Sequence, residues 1–144
     1  MKRLAVLLLI VVAMTAACSD KDKDQDRDAG AGGNLPAGCP SAPAMSGTPS
    51  LPPDFPTPDA MTFTGTSSAG PSTIVNGYWD GDLDAAFTGW KDAFGSASYD
   101  VTSSEQEEDD AEVNFSGGDT TGQVKLTTEG CEDRTTVVVT IRPD

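Results

Sequence analysis

Two acidic clusters are the stretches whose residue types and spacing could do chemistry. Asp80-Gly81-Asp82-Leu83-Asp84 sets carboxylates at alternate positions, as the opening of a calcium loop does. The rest of that pattern is missing. Ala85 stands where the turn glycine belongs, and Lys91 where the bidentate glutamate belongs. Helix capping accounts for Asp82 and Asp84 with fewer assumptions. Glu105 to Glu112 (EQEEDDAE) is the densest acidic run, and Glu107, Glu108, Asp109 and Asp110 are its candidate ligands for a divalent cation. The plainer reading of this run is a solvated hairpin connection, or the wet start of the strand that leads to Phe115.

Histidine is absent, which removes the commonest general base and the commonest metal ligand together. Ser-His-Asp, Cys-His and histidine-zinc sites are thereby excluded. Paired carboxylates can run glycoside hydrolysis, but any acidic pair here is one among many and no aromatic-lined cleft is discernible. Tyr78, Trp79 and Tyr99 could line a small groove, although in strands such residues ordinarily serve as core or cross-strand packing. The residues therefore point away from an enzyme, and they imply no cofactor.

The N-terminus sets the chain's address. Lys2 and Arg3 precede an unbroken apolar run, Leu4 to Val12, and Met14-Thr15-Ala16-Ala17 leads into Cys18. Charge, apolar segment and small residues in that order read as a secretory signal. The run is shorter than the ~20 residues that span a bilayer. Thr15-Ala16-Ala17-Cys18 resembles a bacterial lipobox, with Thr15 in place of the usual leucine. That resemblance implies acylation of Cys18 (diacylglyceryl and palmitate chains) and cleavage after residue 17. Ordinary secretion with cleavage near Ala17 is the alternative. With Cys18 acylated, Cys39 and Cys131 remain, and outside the cytoplasm an even pair reads as a disulfide. A bond closing a loop of 92 residues stabilises the fold by about 4–5 kcal/mol in the entropic model.

Without residues 1–17 the chain keeps 23 acids against 7 bases, a net charge of −16. This balance opposes binding to nucleic acid and to anionic lipid head groups. Ser19 to Asp28 (SDKDKDQDRD) contains no apolar residue and cannot build a core. Gly and Ala follow, then the proline-rich run Pro40 to Pro58. Residues 18–58 thus read as a tether; a flexible linker of about 20 residues reaches about 25 Å. Cys39 is the point where the tether meets the folded body.

From Asp59 the pattern becomes that of a compact domain, residues 59–144. Met61 and Phe63 alternate with threonines, and Thr73 to Trp79 is rich in β-branched and aromatic residues, so two strands are expected with a turn over Ser67–Pro71. Leu83, Ala86, Phe87, Trp90 and Phe94 then form one apolar stripe at helical spacing. Asp82 stands as N-cap and Gly95 as a stop, which predicts an amphipathic helix over about 82–94. Four alternating segments follow, around Ala97–Thr102, Ala111–Ser116, Gln123–Thr127 and Val137–Arg142, with short breaks at Gly117-Gly118-Asp119 and Glu129-Gly130. The expected architecture is α+β in two layers, one helix packed on a twisted antiparallel sheet of about five or six strands.

This layout resembles that of small uncharacterised bacterial lipoproteins: lipobox-like Thr15–Cys18, low-complexity tether, the lead-in Leu51-Pro52-Pro53-Asp54-Phe55-Pro56, and a small exported domain. The resemblance implies a location in the cell envelope, held at the membrane through a lipid on Cys18. It carries no activity or catalytic residue. The expected function is an acidic binding or accessory domain for an envelope protein partner. A calcium-binding module and a structural surface-charge protein are the alternatives. If the stripe faces the core, Trp90→Ala lowers unfolding free energy by about 3–5 kcal/mol in denaturant titration, and an unchanged midpoint contradicts it.

Overall fold

The computed structural model describes Cys39, residues 42–128, Cys131 and residues 133–144. The signal segment 1–17, Cys18, most of the proposed tether and the Glu129-Gly130 break lie outside the described residues.

Asp82 opens the helix as expected. Its carboxylate accepts the Ala85 N–H at 2.8 Å, satisfying one of the orphan donors of the first turn. The helix α1 runs Leu83–Gly95, with Asp84 in its first turn. Leu83, Ala86, Trp90 and Phe94 are buried, while Phe87 is half-buried with the Lys91 ammonium 4.8 Å above its ring.

Around α1 lie six strands: β1 (Met61–Ala69), β2 (Ser72–Asp80), β3 (Asp100–Gln106), β4 (Asp110–Gly117), β5 (Thr120–Thr127) and β6 (Arg134–Pro143). They form one antiparallel sheet in the order β1-β2-β6-β5-β4-β3. The chain makes the β1–β2 hairpin, crosses the sheet through α1, and returns as a four-strand meander that ends against β2. The protein is therefore α+β, with one helix packed on a six-stranded antiparallel sheet.

Two strands differ from their expected spans. β1 continues through Ser67 and Ser68, which pair with Ile74 and Thr73, so its turn shrinks to Gly70-Pro71, with Gly70 at φ 60°. The third strand begins at Asp100 and continues through Glu105 and Gln106, because the β4 ladder opposite supplies partners for them. Ala97 to Tyr99 instead carry the chain from helix to sheet, and Tyr99 is buried. At the β4–β5 connection Gly118 and Asp119 both take positive φ (57° and 60°), the geometry of a tight two-residue hairpin turn.

Alternation sorts the sheet's faces. Val75 of β2, Val137, Val139 and Ile141 of β6, Val124 and Leu126 of β5, and Ala111, Val113 and Phe115 of β4 form the buried side. Cross-strand register aligns Val75, Val139, Val124 and Val113 in one row. The core is completed from outside the regular elements. Phe55, in the proline-rich segment 42–58 (the lead-in from here on), is buried with ring centroids 5.4 Å from Tyr99 and Phe115, 5.8 Å from Phe94 and 6.4 Å from Trp90. Leu51 packs against the same cluster. The lead-in also touches the β1 edge, where the Met45 N–H donates to the Phe63 carbonyl at 2.8 Å.

Cys39 and Cys131 are joined by a disulfide, with Cα atoms 4.8 Å apart. Because Phe55 fills the aromatic cluster, Phe55→Ala should cost about 3–5 kcal/mol in chemical unfolding. A loss below about 0.5 kcal/mol, as at an ordinary surface position, would mean that the lead-in is not part of the core.

Candidate functional site

The end of β2, the start of α1 and the β3–β4 turn all lie at one end of the sheet, so the two acidic clusters converge although they are distant in sequence. Asp82, Asp84, Glu107, Glu108 and Asp109 line one open depression of about 460 Å³, together with Leu83, Gln106 and Thr128. The EQEEDDAE run is divided among three roles. Glu105 and Gln106 end β3, Glu107 to Asp109 make the turn, and Asp110 to Glu112 begin β4.

Most of these acids already hold the fold together. Asp82 caps α1. Asp84 accepts from the Gln106 side-chain amide, tying the helix to β3. Asp80 does not line the depression; it accepts from Arg134 Nε at 2.9 Å, and the guanidinium sits 3.8 Å from the centroid of the Tyr78 ring. Asp110 also stands apart, since Lys125 Nζ lies 3.7 Å from both its carboxylate and that of Glu112. Such exposed pairs each contribute less than about 1 kcal/mol. The Asp109 carbonyl accepts from the Thr128 N–H at 3.0 Å and its hydroxyl at 3.3 Å, fastening the turn to the end of β5. Among the described residues no group of three or more carboxylates or thiols is arranged to hold a metal ion.

The three aromatics separate. Tyr99 is in the core, and Tyr78 lies beneath Arg134. Trp79 packs under the helix at Gly89, where any Cβ would run into the indole. Only a residue without a side chain lets α1 approach the sheet there.

A second polar surface was not singled out by sequence reasoning. It is the sheet face opposite α1, built from the polar half of each strand's alternation. Asn114 Nδ2 donates to Ser103 Oγ at 3.1 Å, and Gln123 Nε2 donates to Asn114 Oδ1 at 3.2 Å and to Glu112 Oε2 at 2.8 Å. Arg142 Nε donates to Thr121 Oγ1 at 3.1 Å. Asn114, Gln123, Thr140 and Arg142 border a shallow hollow of about 230 Å³. The signal that could have found this face was present: on β4 and β5 every strand position out of phase with Val113 and Val124 carries a hydrogen-bonding side chain, as on β6 every position out of phase with Val139 does except Val138.

Comparison with protein-family models, with curated proteins and with solved structures returned no match. Among the described residues no helix is long and apolar enough to cross a membrane. The chemistry available at the acidic end is attraction and hydrogen bonding, with capping as its structural use. Asp82→Ala should therefore lower stability by about 1 kcal/mol, while Asp82→Asn retains most of it. Equal losses in both variants, measured by urea unfolding, would show that charge rather than the cap is what matters.

Proposed function

We propose that this chain is an exported, lipid-anchored protein of the bacterial cell envelope whose acidic domain binds another envelope component or serves as its accessory. The observation that carries this reading is the Cys39–Cys131 bond, because disulfides persist in oxidising compartments and are rare in the cytosol. The order of Lys2-Arg3, the apolar run Leu4–Val12 and Cys18 supports anchorage through an acyl group. The hydrogen-bonding network across β3, β4 and β5 supports binding, since a rigid sheet holds donors and acceptors at fixed spacing. A charge of −16 outside the signal segment favours partners that carry basic groups.

A divalent cation is the rival reading: five carboxylates border one depression, with Asp82 and Asp84 already engaged by the Ala85 N–H and the Gln106 amide and no three of them gathered as a ligand set. Calorimetric titration with calcium separates the two. Heat that saturates at millimolar calcium and disappears in a Glu107→Gln, Glu108→Gln variant would favour the cation; its absence leaves the binding reading in place.

Intact mass tests the anchor and the bond together. Protein purified from its native membrane should have the mass of residues 18–144 plus acyl chains, and should gain two hydrogen atoms on reduction. The mass of an unacylated chain would overturn the anchored reading.

A further inference from the structure

The sheet's order leaves β1 and β3 as its outer strands, and the two edges are unlike. Both outer strands carry a register shift, β1 between Phe63 and Gly65 and β3 between Val101 and Ser103, beyond which β3 pairs regularly through Gln106. The β1 edge is covered in addition by the lead-in, through the bond from Met45 to Phe63. Such devices blunt an edge. At β3, no segment among the described residues pairs with the outer side. Every residue of Asp100–Gln106 except Val101 is exposed, and the strand contains neither proline nor lysine.

The hydrogen-bond phase of this edge follows from its turn. The Glu107 N–H donates to the Asp110 carbonyl at 2.8 Å, which makes that pair a bonded rung. Rungs alternate along an antiparallel ladder, so Glu105–Glu112 and Ser103–Asn114 are bonded and Ser104–Val113 and Gln106–Ala111 are not. The main-chain N–H and C=O groups of Ser104 and Gln106 therefore point outward.

Charge decides which strand can use them. β3 carries Asp100 and Glu105 and runs directly into Glu107, Glu108 and Asp109. A second copy laid along this edge would bring acid against acid, on two bodies that each carry a large negative charge. A basic strand meets attraction at the same positions. We propose that the outer edge of β3 is an interaction surface that takes an extended, lysine- or arginine-bearing segment of another protein as a seventh strand. This inference rests on the binding role proposed above and names its surface and partner chemistry. Main-chain bonds at Ser104 and Gln106 set the register. Alternate basic side chains on the open side of the sheet lie beside Glu105, at the ~4.5–5.5 Å spacing of cross-strand neighbours.

The test uses the full mature chain and two end-blocked nine-residue peptides, one alternating lysine with valine and one alternating glutamate with valine. The lysine peptide should slow amide exchange at Ser104 and Gln106, with affinity that falls as ionic strength rises towards ~1 M, where charges are screened beyond ~3 Å. The glutamate peptide should do neither. Ser104→Pro removes an outward N–H without touching the β4 ladder and should abolish the protection. Glu105→Lys keeps the backbone donors and should weaken affinity several-fold, which covers the case in which the proline variant does not fold. Binding that leaves exchange at Ser104 and Gln106 unchanged overturns the assignment, as does no binding of the lysine peptide. If that peptide fails while the protein still retains an envelope partner, the edge is wrong and the binding role stands. Failure of both removes the binding role itself.

Discussion

Six strands at about 4.8 Å spacing present an apolar face roughly 24 Å across, and one helix about 10–12 Å wide must keep it from water. The helix lies over β3, β4, β5 and β6, which leaves part of the face to be covered by something else. Aromatic rings from outside the helix pack beside it. Phe55 enters from the lead-in, Tyr99 from the link between helix and sheet, and Trp79 slides beneath Gly89. The sheet cooperates by thinning where the rings are thickest. Gly122 sits opposite Phe115, and a Cβ there would strike both that ring and the Thr140 carbonyl. The core is thus a joint product of regular elements and a segment with no regular structure.

That arrangement explains why the disulfide matters. A proline-rich segment makes few main-chain hydrogen bonds of its own, so burial of Phe55 and Leu51 and covalent attachment at Cys39 are what hold it. Closing a loop of 92 residues limits the unfolded chain most strongly where the segment would otherwise escape. Thr128, Asp109 and Cys131 are linked by backbone bonds, so the bond lands on the same end of the sheet as the acidic depression. One side of the sheet is committed to stability; its open face, acidic end and β3 edge are polar and lie outside the core.

Much of this was legible in the sequence, for local reasons. The spacing of Leu83, Trp90 and Phe94 and the cap at Asp82 specify α1 without outside help, and Val113, Val124 and Val139 show period-two alternation. Other features depend on partners far away in the chain. Ser67 and Ser68 have little strand preference and are held by Ile74 and Thr73, just as Glu105 and Gln106 are held by β4. The pairing of β2 with β6 joins residues such as Val75 and Val139, which no local pattern connects. Phe55 was hidden by its prolines, because composition there signals an extended surface segment while one ring does the work of a core residue. The acidic depression was hidden for a different reason: each cluster is visible alone, and only the topology brings them together.

The lead-in is a working part of the fold, fastened by Cys39–Cys131. The most direct measurement is native-state amide exchange on the oxidised and the reduced protein, read separately for β4, β5 and β6. If the lead-in is so fastened, reduction speeds exchange in all three strands together, because losing the bond lowers the stability of the whole domain. Identical exchange in the two forms would contradict it, and would leave the helix and sheet as a core sufficient by themselves.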